Sequence, residues 1–263
     1  MGRIIGFVSG KGGVGKSCIT AGIGKALANL NKSVCLVDFD FGLNNLDLML
    51  GLETNVVYDL TDYFAGRSRL RQTLVPDNEF DGLYYLSTHK ASSFDAIDKS
   101  LLKEVITKLG EVFEYVLIDC SAGMGQDFKF IIDCVSEIII VSTPNICAIR
   151  DASKVASEVF KLKKQAGVIV NKLRGDLVLG GKSFDEKQIA KTLGLKLIGV
   201  MPEYEAISVY SSIKSVYNTS LEVKNAFIVL AKNILKNTSF CVDYTYKFKG
   251  VIGALRRKLK ARA

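Results

Sequence analysis

A chain of 263 residues suits one α/β domain, and its composition, 48% hydrophobic against 24% charged, supplies a packed core and argues against extensive disorder. The net charge of +8 is concentrated: seven basic residues and no acidic one lie from Lys247 onward, leaving +1 for residues 1–246. Basicity is therefore a property of the tail, and the chain divides into a domain, 1–246, and a basic terminal segment, 247–263.

Met1-Gly2-Arg3 runs directly into an apolar stretch with no signal-peptide cleavage site, so a cytosolic protein is expected. No segment has the ~20 uninterrupted apolar residues of a membrane span, so any membrane contact must be peripheral. The six cysteines, at 18, 35, 120, 134, 147 and 241, include no C-x-x-C pair and read as reduced core thiols. The single histidine, His89, reads as a surface or loop residue.

In chain order, a β-branched run predicts a strand over 3–9, and a helix is predicted over 16–30. Between them Gly10-Lys11-Gly12-Gly13-Val14-Gly15-Lys16-Ser17 fits G-x-x-x-x-G-K-[ST], the phosphate loop. Glycines let backbone N–H groups turn inward around phosphate oxygens, Lys16 reaches the β- and γ-phosphates, and Ser17 ligates magnesium. The helix that follows presents its positive end to the same anion. ATP and Mg²⁺ are the expected cofactors.

Further strands are predicted over 33–39, 83–87, 115–120, 137–142, 167–171 and 196–201, with helices over 99–113, 127–135, 150–164, 185–193 and 221–236. Alternating strands and helices imply a doubly wound, mainly parallel sheet of seven or eight strands with helices on both faces. Ligands of such a sheet sit beyond the carboxyl ends of the strands. There the predicted second strand ends with Asp38 and Asp40, and the fourth with Asp119. These carboxylates suit charge neutralisation and water orientation in phosphoryl transfer. Capping of the following turn by Asp38 or Asp40, and simple strand termination by Asp119, remain alternatives.

Lys11, directly after the first glycine, exceeds what an ordinary phosphate loop needs. With it, Lys11-Gly12-Gly13-Val14-Gly15-Lys16-Ser17 resembles the deviant phosphate loop of the MinD/ParA family of dimerising ATPases. The likeness extends through Asp38-Phe39-Asp40-Phe41-Gly42-Leu43-Asn44-Asn45-Leu46-Asp47, closest to the MinD branch, and through Val116 to Gly123. It continues at Ser142-Thr143-Pro144, Ile149-Arg150-Asp151, Val170-Asn171-Lys172 and Val200-Met201-Pro202-Glu203.

The resemblance implies a P-loop ATPase that forms a homodimer in its ATP state. Lys11 would cross the interface to the partner's nucleotide, Asp40 would position the attacking water, and Asn45 would support the composite site. Asp38 and Asp119 would act through magnesium-bound water, and Asn171 and Pro202 would contact adenine. Arg150 and Asp151 match a helix that contacts the inhibitor MinC and the activator MinE. The chain has Ser153 where the family commonly has a second acid, so the resemblance carries a MinC-like partner further than a MinE-like one. Cys18 replaces a threonine whose hydroxyl would contact the α-phosphate, leaving its backbone N–H to do so.

The tail places Phe248, Val251, Ile252, Leu255 and Leu259 at helical spacing, with Arg256, Arg257 and Lys258 among the basic residues between them. That pattern predicts an amphipathic helix for an anionic membrane surface, weakened by Gly250 and Gly253 and folding on contact. A last core helix and a nucleic-acid tail are alternatives, the latter poorly supported because Phe248 is the one aromatic in the final run. The function implied is placement of the division septum by recruiting an inhibitor to the membrane. A flagellar-number regulator and a ParA-like DNA-segregation ATPase are the competing readings; an iron–sulfur carrier lacks suitably spaced cysteines.

Overall fold

The structure is a computed structural model describing residues 1–40, 45–88, 91, 93–210 and 215–260, of which 208–210 and 258–260 are described in backbone alone. His89 and Phe41 to Asn44 of the switch motif lie outside the described residues.

The first half of the chain forms β1 (Arg3–Ser9), α1 (Lys16–Asn29), β2 (Val34–Phe39), α2 (Leu46–Leu50), α3 (Leu60–Phe64), α4 (Leu70–Thr73), β3 (Leu74–Pro76), β4 (Leu83–Leu86), α5 (Lys99–Val112) and β5 (Tyr115–Ala122). The second half adds α6 (Gln126–Cys134), β6 (Glu137–Ser142), α7 (Ile146–Lys161), β7 (Gln165–Leu173), α8 (Gly175–Leu179), α9 (Glu186–Leu193), β8 (Lys196–Pro202), α10 (Glu205–Tyr210), α11 (Leu221–Lys236) and α12 (Gly250–Lys260).

The strands make one sheet in the order β3-β4-β2-β5-β1-β6-β7-β8, parallel except for β3, which pairs antiparallel with β4. The central strands are apolar on both faces because helices cover both. Ile5 and Phe7 of β1 pack with Ile19 and Ile23 of α1 and Val223 and Phe227 of α11. Ile4 and Val8, pointing the other way, join Val105 of α5, Ile131 of α6 and Val155 of α7. Two buried clusters therefore sandwich the sheet, as its period-two alternation requires.

Strand order turns back at β1, which lies between β5 and β6. The phosphate loop leaves β1 at this switch point, beyond the strands' carboxyl ends, where open α/β sheets bind ligands. Register sets the chemistry beneath it, because Asp38 of β2 lies directly beside Asp119 of β5 in the parallel pairing.

Seven of the eight strands follow the sequence expectation. The eighth, β3, has three residues and ends in Pro76, too short a run to show alternation and closed to further pairing at the proline. The helix expected over 150–164 begins four residues earlier, because the Asn145 side chain accepts from Cys147 N at 2.9 Å and caps it at Ile146. This corrects the core assignment of Cys147, which is exposed in the first turn, while Cys35 and Cys120 are buried and Cys18, Cys134 and Cys241 half-buried.

Phe248 belongs to a 3₁₀ turn (Tyr246–Phe248) preceding α12, which corrects its expected place on the helix face. The last turn before α12 is held by Lys249 to Asp243 at 2.8 Å and Lys247 to Glu222 at 2.5 Å. Arg257 Nη1 returns to Phe248 O at 2.7 Å. Val251, Ile252 and Leu255 are exposed by 89%, 72% and 61%, so these apolar side chains are not buried against the body. The side chains of Lys258 and Leu259 lie outside the described residues. Among the described residues no helix is long and apolar enough to cross a membrane.

Candidate nucleotide site

Gly10 to Ser17 leave β1 and enter α1 through two left-handed residues, Gly13 at φ 79° and Gly15 at φ 87°. Gly10 is required for a different reason: a Cβ there would lie 2.4 Å from the backbone of Asp151 on α7. At Gly12 and Gly13 a Cβ would meet nothing within 4 Å, so this part of the loop faces open space. Ser9 Oγ donates to Lys11 O at 3.1 Å and shapes the entry to the turn. A cavity of about 300 Å³ lies against the loop, lined by Lys11, Gly12, Gly13, Thr143, Asn145 and Lys172 among others.

Under the loop, Lys16 is buried and its Nζ lies 2.6 Å from Asp119 Oδ1. Burial opposes the charge on Lys16, yet the field and hydrogen bond of Asp119 hold the ammonium above its ordinary value. Asp119 is fully buried, and its other oxygen, Oδ2, has no hydrogen-bond partner. Strand termination does not explain this residue, because β5 continues three residues further, to Ala122. Thr20, one turn along α1, places its hydroxyl 3.2 Å from Asp119 Oδ1 and 3.0 Å from Lys16 O.

Asp38 does form the turn that capping implies. Its Oδ1 accepts from Asp40 N at 2.9 Å and its Oδ2 from Leu46 N at 3.3 Å at the start of α2. Thr88 Oγ1 donates to Asp38 O at 2.9 Å and ties the segment after β4 to the same corner. Burial, then the charge of Asp119, push the Asp38 carboxyl up to about 7. Asp40 is half-buried at the mouth of the site, and its carboxyl is raised chiefly by burial despite the nearby Lys16 charge. Asn45, the residue before α2, is exposed. Two adjacent carboxylates with one lysine between loop and sheet leave the buried corner short of positive charge.

That deficit is the test for magnesium, and the residues fit. The Asp38 and Asp119 carboxylates and the Ser17 hydroxyl are hard oxygen donors, and the unbonded Oδ2 of Asp119 is a donor with no other use. Among the described residues no group of three or more His, Cys, Asp or Glu is placed to hold a metal ion. Two carboxylates and a hydroxyl suit Mg²⁺, which keeps several waters and takes phosphate oxygens, better than a cation needing an all-protein cage. The half-buried Cys18 has its thiol pushed up to about 12, chiefly by burial, so it stays a neutral thiol beside the loop.

At the other end of the loop, Asn171 is buried on β7, with its Nδ2 2.7 Å from Val14 O. Asn171 pairs with Met201 and Leu173 with Pro202, which sets Pro202 at the adjacent end of β8. The structure thus brings the loop, Asp38, Asp40, Asp119, Asn171 and Pro202 to one end of the sheet. Arg150 is exposed on α7, and Asp151 is half-buried with Lys154 at 3.1 Å. Thr20, Thr88 and Lys172 take part in this architecture and lie outside the site residues expected from the sequence. The i, i+4 spacing of Lys16 and Thr20 on one helix face was an available signal for the first.

The CobQ/CobB/MinD/ParA nucleotide binding domain matches the chain over residues 5–215. The septum site-determining protein MinD of Bacillus subtilis (strain 168) is 39% identical over 210 residues, covering 79% of this chain and 78% of that protein. The chain belongs to the MinD family of P-loop ATPases. A MinD of Synechocystis is 35% identical over 267 residues, covering 98% of this chain and 99% of its own. Among solved structures, the MinC:MinD cell division protein complex of Aquifex aeolicus superposes with a TM-score of 0.81 at 30% identity, covering 89% of this chain and 96% of that one. MinD of Pyrococcus horikoshii, complexed with Mg-ADP, gives a TM-score of 0.78 at 30% identity over 90% of this chain and 97% of its own. The MinD fold is therefore shared by this chain and proteins with bound nucleotide and bound partner.

Proposed function

We propose that this chain is a magnesium-dependent ATPase that dimerises on ATP, holds the membrane through its tail and places the division septum by recruiting a MinC-like inhibitor. The observation that carries the reading is the buried pairing of Lys16 with Asp119 beside Asp38, directly under a loop whose second lysine, Lys11, is exposed.

In this reading the backbone of Gly10 to Cys18 and Lys16 bind the phosphates. Lys16 exchanges its bond to Asp119 for phosphate oxygens, and Ser17, Asp38 and Asp119 would hold Mg²⁺. Bound there, the cation supplies charge neutralisation on the phosphate oxygens. Asp40, at the mouth of the site, orients the attacking water, with Asn45 beside the same corner. Lys11 reaches outward to the nucleotide of a second copy, which explains a lysine that this chain's own loop does not need. Asn171 and Pro202 flank the adenine. The α7 surface at Arg150 and Asp151 takes the inhibitor; support for a MinE-like activator is weaker because Ser153 lacks the second acid.

Membrane attachment rests on Val251, Ile252 and Leu255, exposed on a helix whose basic residues include Arg256 and Arg257. Each basic side chain near an anionic leaflet contributes about 1 kcal/mol, so one tail binds reversibly and two tails on a dimer bind with higher avidity. Specific nucleic-acid binding is not part of this reading. Sedimentation with anionic vesicles in ATP and in ADP, alongside duplex DNA across a salt series, tests it. ATP-dependent attachment to vesicles is expected; ATP-dependent retention on DNA with none on vesicles would replace it by the DNA-segregation reading.

A further inference from the structure

The end of β7 grips the phosphate loop with two consecutive side chains. Asn171 Nδ2 donates to Val14 O at 2.7 Å, and Lys172 Nζ donates to Gly13 O at 3.0 Å. The two grips are joined, because Asn171 Oδ1 accepts from Lys172 N at 2.9 Å. Lys172 sits at φ 55°, a sparsely populated backbone for a long side chain, and this bond helps hold it there. Gly15 records the same approach from the loop's side, since a Cβ on it would lie 2.4 Å from Asn171 Nδ2.

A trans peptide points its C=O and the following N–H in opposite directions. Holding the carbonyls of Gly13 and Val14 toward β7 therefore turns the N–H groups of Val14 and Gly15 away from it. Neither N–H is bonded to another group among the described residues. They are donors already aimed, and donors fixed before a ligand arrives need no reordering when it binds.

We propose that Asn171 and Lys172 are positioning residues, a clamp that fixes the phosphate-loop amides in advance of the nucleotide. The proposal rests on the ATP-binding reading above and gives Asn171 a task separate from any contact with the base. Lys172, outside the glycine-rich motif, becomes a determinant of its shape.

The test uses the full-length chain in three forms besides wild type: Asn171→Ala, Lys172→Met and Lys172→Arg. In nucleotide-free protein, hydrogen exchange of the Ile19 amide, which donates to Gly15 O of the loop at 3.0 Å, should quicken about fivefold in the first two and stay near wild type in Lys172→Arg. By calorimetry with Mg²⁺, Asn171→Ala should weaken both ATP and inosine triphosphate about tenfold, and Lys172→Met should weaken ATP and ADP alike by about threefold, the scale of one hydrogen bond each. Loss of ATP affinity with inosine triphosphate untouched would make Asn171 a base contact and overturn the clamp. Loss with ATP and none with ADP would make Lys172 a γ-phosphate contact, with the same result. Unchanged exchange in both variants would also overturn it, and that measurement needs no nucleotide. Wild-type protein that binds neither triphosphate would instead refute the ATP-binding reading, leaving the exchange comparison to decide the clamp.

Discussion

The phosphate-loop end of the sheet and the C-terminal tail are built on opposite terms. The first is made of residues that the core cannot release: Lys16, Asp38 and Asp119 are buried, and their positions follow from strand register and the first turn of α1. The second hangs from surface ion pairs, and its apolar side chains at Val251, Ile252 and Leu255 face outward. A site embedded in the core obtains rigid geometry, and changing it disturbs stability. A segment at the margin can be altered without disturbing the fold, because exposed pairs contribute about 1 kcal/mol or less.

Four substituted variants and one truncation sharpen or break that contrast. The largest effect is expected from Lys16→Ala, which removes the buried cation and leaves the Asp119 charge unpaired. ATP affinity should fall at least about 100-fold, since bonds to charged groups are the strong ones, and the melting temperature should drop while the chain stays folded. Calorimetry with ATP and a thermal melt check both. An unchanged affinity would remove this lysine from the site.

Asp40→Ala comes next, because Asp40 is only half-buried at the mouth of the site. It should keep ATP affinity within about threefold and reduce hydrolysis about 100-fold, as measured by phosphate release. Its ATP-bound form should accumulate on vesicles. Hydrolysis at the wild-type rate would take the water-orienting role away from it.

At the margin, Ile252→Glu with Leu255→Glu should weaken ATP-dependent sedimentation with anionic vesicles about tenfold or more. Truncation before Tyr246 should abolish it. The melting temperature of the double variant should match wild type, and high salt should weaken wild-type attachment less completely than the charges do. A melting temperature lowered as in Lys16→Ala would break the contrast between the two regions. The smallest effect belongs to Cys18→Thr, which restores a hydroxyl beside the loop and should raise ATP affinity about threefold in a binding titration.

The sequence disclosed the core-built region well, and for a physical reason. A strand, a glycine turn and a helix at fixed spacing can place Lys16 in few ways, and carboxylates closing apolar runs at Asp38 and Asp119 must emerge at the same end of a parallel sheet. What escaped lies where pattern is short or contacts are distant in sequence. Strand β3 spans three residues, and α2, α3 and α8 five each, too few to display a period. The grip of Asn171 on Val14 joins residues 157 positions apart, which no local signal announces. The start of α7 is hidden in the sequence because its cap, Asn145, follows Pro144 in a stretch that reads as a loop. Phe248 fits the helical spacing of the tail but falls before Gly250, whose φ of 70° turns the chain into α12.

The contact between Gly10 and α7 has a mechanical meaning. With a hypothetical methyl at Gly10 only 2.4 Å from the Asp151 backbone, there is no slack between the first residue of the loop and the helix that carries Arg150 on its outer side. Loop and helix behave as meshed teeth: α7 cannot advance toward the nucleotide site without pushing Gly10 ahead of it, and a side chain inserted at Gly10 would jam the pair apart.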